Sequence, residues 1–257
     1  MLVTVGLEVT AMVASLAAGL ILVGFIFVRE RAGEKLLPWT EGEAKVQAVH
    51  GRGFFDVFRG LNTVLWTRTS LLVIAIMFFD GMVAGYGHAL MPIAAINLFG
   101  YTTPQWSQLV AIMGLVGAIV ALASGPFIDR FGAKRMLSFT ITLVAAHAFV
   151  LAQTQQLWQD SNYVRAMLAI WIMMEPVTMV CVLALAMAIC SQAVSATQFA
   201  IYMSMANLGS SVGSKAYGVI ADSTSYDQSY MYLGALLVVT LLIISMYRHA
   251  GTSSQQA

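Results

Sequence analysis

Two acidic side chains lie within long apolar stretches of the chain. Asp80 is ten residues into the stretch that begins at Ser70, and Glu175 directly precedes Pro176 near the middle of another. An ionisable group inside a membrane costs about 2.5–3.5 kcal/mol on insertion scales, so each carboxyl needs a function or a partner. Because burial favours the neutral form of a carboxyl, Asp80 is suited to binding and releasing a proton. The alternative is a carboxyl that only bonds a neighbouring helix.

The surroundings of Glu175 add further chemistry. Trp171, Glu175 and Thr178 share one face of a helix, at positions i, i+4 and i+7. Together they offer an aromatic platform, a charge and a hydroxyl group, which suits a sugar or peptide ligand. Pro176 removes one backbone donor and allows a kink at this point. The pattern favours a substrate or proton pathway through Asp80 and these three residues.

The next apolar stretch carries small and polar residues at spacings of 3, 4, 3 and 4. They are Ser204, Asn207, Ser211, Ser214 and Gly218. Two interpretations are open: close helix packing through small residues, or a polar pathway with Asn207 as its candidate. Three roles are open for Lys215: it neutralises an anionic substrate, it pairs with a carboxylate, or it extends to the outer headgroups. Gln198 lies at the inner mouth of this stretch and either joins the pathway or caps and packs.

Patterns typical of enzymes are missing from the sequence. It contains no phosphate-binding loop, no nucleophile triad and no nucleic-acid-binding pattern, and the four histidines do not stand at metal-ligand spacing. We therefore expect no catalytic residues, no metal, no cofactor and no nucleic-acid partner. The expected partners are a small-molecule substrate and the lipid bilayer.

The composition shows which elements must position these side chains. Of the 257 residues, 59% are hydrophobic and only 10% are charged, far below the roughly 25% charge of soluble domains. Apolar runs of about 20 residues recur between short polar breaks, which predicts membrane-spanning helices. The fold class is therefore an all-α integral membrane protein with about seven transmembrane helices. The predicted spans are 2–28, 70–92, 105–125, 136–152, 166–190, 198–220 and 230–247.

The basic residues predict the orientation and the domains. With these spans, eleven of the 13 Lys and Arg residues fall on one side, which is the cytoplasmic side by the positive-inside rule. We expect a first transmembrane helix in 1–28, a cytoplasmic linker in 29–69, a six-helix bundle in 70–247 and a cytoplasmic tail in 248–257. Within the linker, Phe54, Phe58, Leu61 and Leu65 have helical spacing, which predicts an amphipathic helix lying in the membrane interface. The N-terminus would face outward, in a multi-pass protein of the inner membrane.

The segment GPFIDRFGAKRM, residues 125–136, resembles the signature loop of the major facilitator superfamily. That loop has a glycine, an Asp-Arg pair, a second glycine and a basic pair, and it joins two helices on the cytoplasmic side. The matching residues here are Gly125, Asp129, Arg130, Gly132, Lys134 and Arg135. We expect this loop to act as a cytoplasmic gate, in which Asp129 caps the next helix or pairs with a base on a neighbouring span.

A second stretch, SATQFAIYMSMANLGSSVGSKAYGVIAD, is similar to helix 11 of AmpG-type muropeptide permeases and the related acetyl-CoA transporters. The resemblance implies that the seven spans correspond to helices 6 to 12 of a twelve-helix carrier. It implies secondary, proton-coupled uptake of muropeptide-like cell-wall fragments. The alternatives are an acetyl-CoA, drug or sugar-phosphate carrier, or a non-transporting membrane scaffold or receptor.

The family's mechanism requires a second bundle, because alternating access rocks two bundles about a site between them. On this mapping the N-terminal bundle is nearly absent from the chain. We expect the chain to be a fragment of a longer protein, or to work with a second copy or a separately encoded half.

Overall fold

The computed structural model describes residues 7–27, 54–191 and 194–247, and the regular structure in these ranges is helical. The chain divides into two compact units, Met1–Phe55 and Asp56–Ala257. Most of the predicted linker and the predicted tail from residue 248 onward lie outside the described residues.

The first unit contains helix α1, Leu7–Phe27, within the first predicted span. Its 21 residues rise about 31 Å at 1.5 Å per residue, close to the thickness of a hydrocarbon layer. Large apolar side chains such as Met12, Leu16 and Leu20 are exposed along this helix. An apolar surface of this kind is typical of a helix that faces lipid or another membrane helix.

The second unit begins within α2 and continues through six longer helices. Helix α2, Phe54–Leu65, coincides with the amphipathic stripe of the linker, although its position at a membrane interface stays a prediction. The six that follow are α3 Arg68–Asn97, α4 Thr103–Phe131, α5 Ala133–Gln153, α6 Ser161–Ala188, α7 Ser195–Ile220 and α8 Tyr226–Met246. A single 3₁₀ turn, Gln155–Leu157, follows α5.

Five of these helices, α3, α4, α5, α6 and α8, are long and apolar enough to cross a membrane. Helix α7 has sufficient length at 26 residues, but its serines, its glycines and Lys215 lower its hydropathy. The all-helical membrane fold is therefore confirmed.

The junction between α4 and α5 differs from the sequence prediction. The predicted span ends at Gly125, whereas α4 continues through Pro126 to Phe131. Gly132 is the only residue between the two helices, and its φ of 85° is a conformation that residues with a Cβ rarely adopt. The expected loop is thus a tight helix-to-helix corner at one glycine.

Helices α3 and α7 form a very close helix pair, and glycines make this approach possible. A Cβ added at Gly81 or Gly85 would lie within 3.0 Å of the α7 backbone. The same addition at Gly209 or Gly213 would overlap the α3 backbone. Small residues allow helix backbones to approach to this distance in a membrane.

The packing face of α7 is therefore displaced from the predicted stripe. Ser204, Asn207, Ser211 and Gly218 are exposed, while the buried positions are Gln198, Tyr202, Gly209, Gly213 and Tyr217. One residue of the predicted stripe contacts α3: the Ser214 hydroxyl donates a hydrogen bond to the carbonyl oxygen of Gly85 at 2.9 Å. The packing face of α7 is therefore defined by glycines, which have no Cβ, more than by small polar side chains.

The remaining helices enclose an apolar core around this pair. Helix α3 also packs against α8, α5 packs against α8 and α6, and α4 packs mainly against α6. The fully buried side chains include Ile76, Leu90, Leu137, Leu168 and Leu233. Helix α6 packs mainly against α4 and α5 and contacts α3 and α7 at only a few positions. Helices α3, α6 and α7 carry the predicted pathway residues.

Candidate functional site

A cavity of about 340 Å³ opens between α3, α6 and α7, with contributions from α5 and α8. Most of its lining is apolar and includes Met77, Val83, Ile141, Val144, Met179, Val182, Leu183, Met203 and Leu237. The polar side chains in the lining are those of Asp80, His88, Trp171, Glu175, Thr178, Asn207 and Ser210. Binding pockets for organic solutes have this character, with apolar walls and a few convergent polar groups.

Helical periodicity brings the polar groups of α3 and α6 to this cavity. On α3, Asp80 and His88 lie two turns apart on one face. On α6, Trp171, Glu175 and Thr178 occupy one face. The structure thus gathers around one cavity the carboxyl groups that the sequence places 95 residues apart.

Asp80 lines the cavity without a balancing partner. Among the described residues, its carboxyl group accepts no hydrogen bond and pairs with no basic side chain. The charged neighbour that acts on it is Glu175, which has the same sign of charge. A carboxyl in such surroundings must take up a proton or meet a cation to offset the loss of hydration.

His88 and Glu175 form a hydrogen-bonded pair across the cavity. Nε2 of His88 lies 2.6 Å from Oε1 of Glu175, so the pair links α3 to α6. The two side chains remain 54% and 46% exposed. The pair is therefore accessible to a solute that enters the cavity.

Trp171 forms part of the cavity wall. It is only 8% exposed, and its ring packs so closely over α3 that a Cβ at Gly87 would overlap it. The open aromatic platform expected from the sequence is therefore not available in this conformation. Thr178 donates its hydroxyl hydrogen to the carbonyl oxygen of Met174 at 3.1 Å, which leaves its oxygen available as an acceptor.

Asn207 lies in the cavity lining, but two other candidates on α7 do not. Lys215 is exposed and lies outside the lining. Gln198 is fully buried, accepts from the backbone N–H of Ser191 at 2.9 Å and donates to the Tyr202 hydroxyl at 2.7 Å. Through these hydrogen bonds, Gln198 stabilises the turn between α6 and α7.

The residues of the signature motif surround the corner between α4 and α5. Gly125 lies in a helical turn, Asp129, Arg130 and Arg135 are exposed, and Gly132 forms the corner. The N-cap residue of α5 is Gly132, which has no side chain to cap the helix, and the structure shows no hydrogen bond from Asp129 to the first turn of α5 among the described residues. The expected pairing of Asp129 with a base is likewise not seen among the described residues.

Lys134 has a more specific position than its motif neighbours. Its ammonium group donates to the backbone carbonyl oxygens of Ser245, at 3.4 Å, and of Tyr247. It also lies over the Tyr247 ring, 5.9 Å from the centroid. Lys134 therefore connects the signature motif to the end of α8.

His88 and Ser210 are lining residues that sequence reasoning did not include among the site candidates. The signal for His88 was its position two turns after Asp80 on the same helix face. Within the described ranges, no group of three or more His, Cys, Asp or Glu residues is placed to hold a metal ion.

Comparison with known proteins gives the family. No curated protein and no solved structure gives a significant match to the chain. The sequence model of the Major Facilitator Superfamily matches residues 2–214, which is most of the chain and includes the signature motif, helices α3 to α6 and most of α7. Together with the bundle of apolar helices, this match shows that the chain belongs to the major facilitator superfamily of multi-pass membrane transporters.

Proposed function

We propose that the chain contributes the C-terminal bundle of a proton-coupled secondary transporter and that Asp80 is its proton-binding group. The supporting observation is the carboxyl of Asp80 in a mostly apolar cavity without a cationic partner among the described residues. Such a group binds a proton when it is shielded from water and releases it when water enters. A group that alternates in this way couples the solute cycle to a proton gradient.

The proposed cycle requires a second bundle, which a preceding part of the same protein, a separate chain or a second copy would supply. Alternating access places the solute site at the interface of two bundles near the middle of the membrane. The exposed face of α7, with Ser204, Asn207 and Ser211, gives α7 a polar surface for that interface. The signature residues Gly125 to Arg135 would form the cytoplasmic gate, with the N-terminus outside the inner membrane.

We propose that the solute is a muropeptide-like fragment, an amino sugar joined to a short peptide. The lining supports a solute of mixed polarity, since apolar walls alternate with Thr178, Asn207 and Ser210. Acetyl-CoA and sugar phosphates fit less well, because the described lining contains two carboxyl groups and neither Lys nor Arg. A phosphate bound there would meet like charge.

Competition for uptake tests this choice of solute. The carrier is used in the form in which its host expresses it, in cells or in proteoliposomes. The measured quantity is the uptake of a radiolabelled muropeptide. An excess of unlabelled muropeptide should abolish the uptake, while equal concentrations of acetyl-CoA and of a hexose phosphate should leave it unchanged. Inhibition by either phosphate compound at the muropeptide's own effective concentration would contradict the proposal.

A further inference from the structure

We infer that the His88–Glu175 pair recognises a protonated amine on the transported solute, with Glu175 exchanging its imidazole partner for the ammonium group. This inference rests on the proposed function, and it specifies the chemical group that the cavity selects.

The charges around the cavity favour a cation. Helix α3 contributes Asp80 and His88, and α6 contributes Glu175. The lining residues from α5, α7 and α8 carry no charge. The lining holds two carboxyl groups against one imidazole, so whenever Asp80 is ionised this part of the site has a net negative charge, even with a protonated imidazole. A positively charged solute group lowers the electrostatic energy of such a site, and an anionic group raises it.

The geometry of the pair permits the exchange of partners. The pair joins Nε2 of His88 to Oε1 of Glu175, and the hydrogen bonds among described residues leave Oε2 without a donor. An ammonium group has three donors and can engage both carboxylate oxygens. Because about half of each side chain is exposed, the ammonium group can reach Glu175 without unfolding either helix.

The walls beside the pair suit the rest of an amine-bearing solute. Met77, Met179 and Met203 line the cavity from three different helices. Methionine side chains are flexible and polarisable, so they adapt to apolar groups of different shapes. Thr178 and Asn207 supply neutral hydrogen-bonding groups in the same lining. The site therefore combines one selective ionic contact with adaptable apolar contacts.

Equilibrium binding to the purified carrier in detergent tests the inference without any proton gradient. The first probe pair is a muropeptide with one free amino group on its peptide and the same compound N-acetylated at that amine. The second pair is a phenylalkylamine and its N-acetyl derivative, which lack the sugar and the peptide. We expect each free amine to bind about tenfold more tightly than its acetylated form, the size typical of a hydrogen bond to a charged group.

Variants of the pair distinguish recognition from a structural role. Glu175→Gln should remove the tenfold preference for the free amine and leave the binding of the acetylated compounds unchanged. Glu175→Asp should restore part of the preference. His88→Ala should tighten amine binding several-fold, because the competing imidazole is gone. Asp222→Asn is the matched control, since it neutralises an exposed carboxyl outside the cavity and should change nothing.

The outcomes separate this inference from the proposed function. If only the phenylalkylamine pair shows a preference that depends on Glu175, the inference stands and the muropeptide proposal fails. If neither free amine binds more tightly than its acetylated form, the inference is wrong, even if transport is proton-coupled. A preference that survives Glu175→Gln in a folded variant would also overturn it.

Discussion

The ammonium group of Lys134 lies over the aromatic ring of Tyr247 and donates a hydrogen bond to that residue's carbonyl oxygen. Tyr247 is the C-cap residue of α8, where the last carbonyl groups of a helix lack partners within it. A basic side chain at this position satisfies those carbonyl groups and interacts favourably with the helix dipole. One base of the signature motif thus anchors the last helix of the bundle.

Replacing Lys134 by Met should loosen the end of α8. The change keeps a long side chain but removes the donor and the charge, which should cost about 1 kcal/mol locally. Hydrogen exchange measured by mass spectrometry should be faster for the backbone amides of residues 243–247. Arg135→Gln is the control, because Arg135 is the exposed base next to it. Equal exchange rates in both variants would show that the anchor has no effect.

Adding one methyl group at Gly213 should separate α3 from α7. An alanine Cβ there would overlap the backbone around Met82, so the helices must move apart or the variant unfolds at lower temperature. We expect a loss of about 1–3 kcal/mol, the usual cost of overpacking, seen as a lower Tm in detergent. Gly218→Ala is the control on the same helix, because its Cβ would meet no described atom within 4 Å. A Gly213→Ala variant as stable as Gly218→Ala would contradict the packing account.

Gly132→Ala should strain the corner between α4 and α5. The glycine has φ 85° and ψ 142°, a region that is almost closed to residues with a Cβ. We predict destabilisation by about 1–3 kcal/mol, measured by thermal unfolding. Gly125→Ala, in the same motif, should be neutral or slightly stabilising because Gly125 is helical and has open space around it. If the two variants unfold at the same temperature, the corner does not depend on this backbone conformation.

Hydrophobic length and helical periodicity were sufficient to predict the helical membrane fold and the shared face of Trp171, Glu175 and Thr178 on α6. Apolar runs define where helices lie, and positions three or four residues apart share a face whatever the tertiary packing.

Other features depended on contacts between distant helices, which periodicity does not contain. The pairing of His88 with Glu175 requires the relative rotation of α3 and α6. The sequence could predict that α7 packs through small residues, but not which of its faces does so. Ser211 and Gly213 both belong to small-residue patterns, and only the close approach of the α3 backbone to Gly213 shows which face is packed. The sequence placed Gln198 at the inner mouth of α7, yet its hydrogen bonds to the Ser191 backbone and the Tyr202 hydroxyl are local to the turn and the start of the helix.

The central claim is that Asp80 couples transport to protons, and solute accumulation driven by an imposed pH gradient in proteoliposomes tests it most directly. The account predicts that Asp80→Asn abolishes this accumulation but retains exchange of labelled for unlabelled solute, because exchange needs no net proton movement. Asp222→Asn should accumulate solute like the native carrier. If Asp80→Asn still accumulates solute in response to the pH gradient, Asp80 is not the coupling group and the proposed mechanism is wrong.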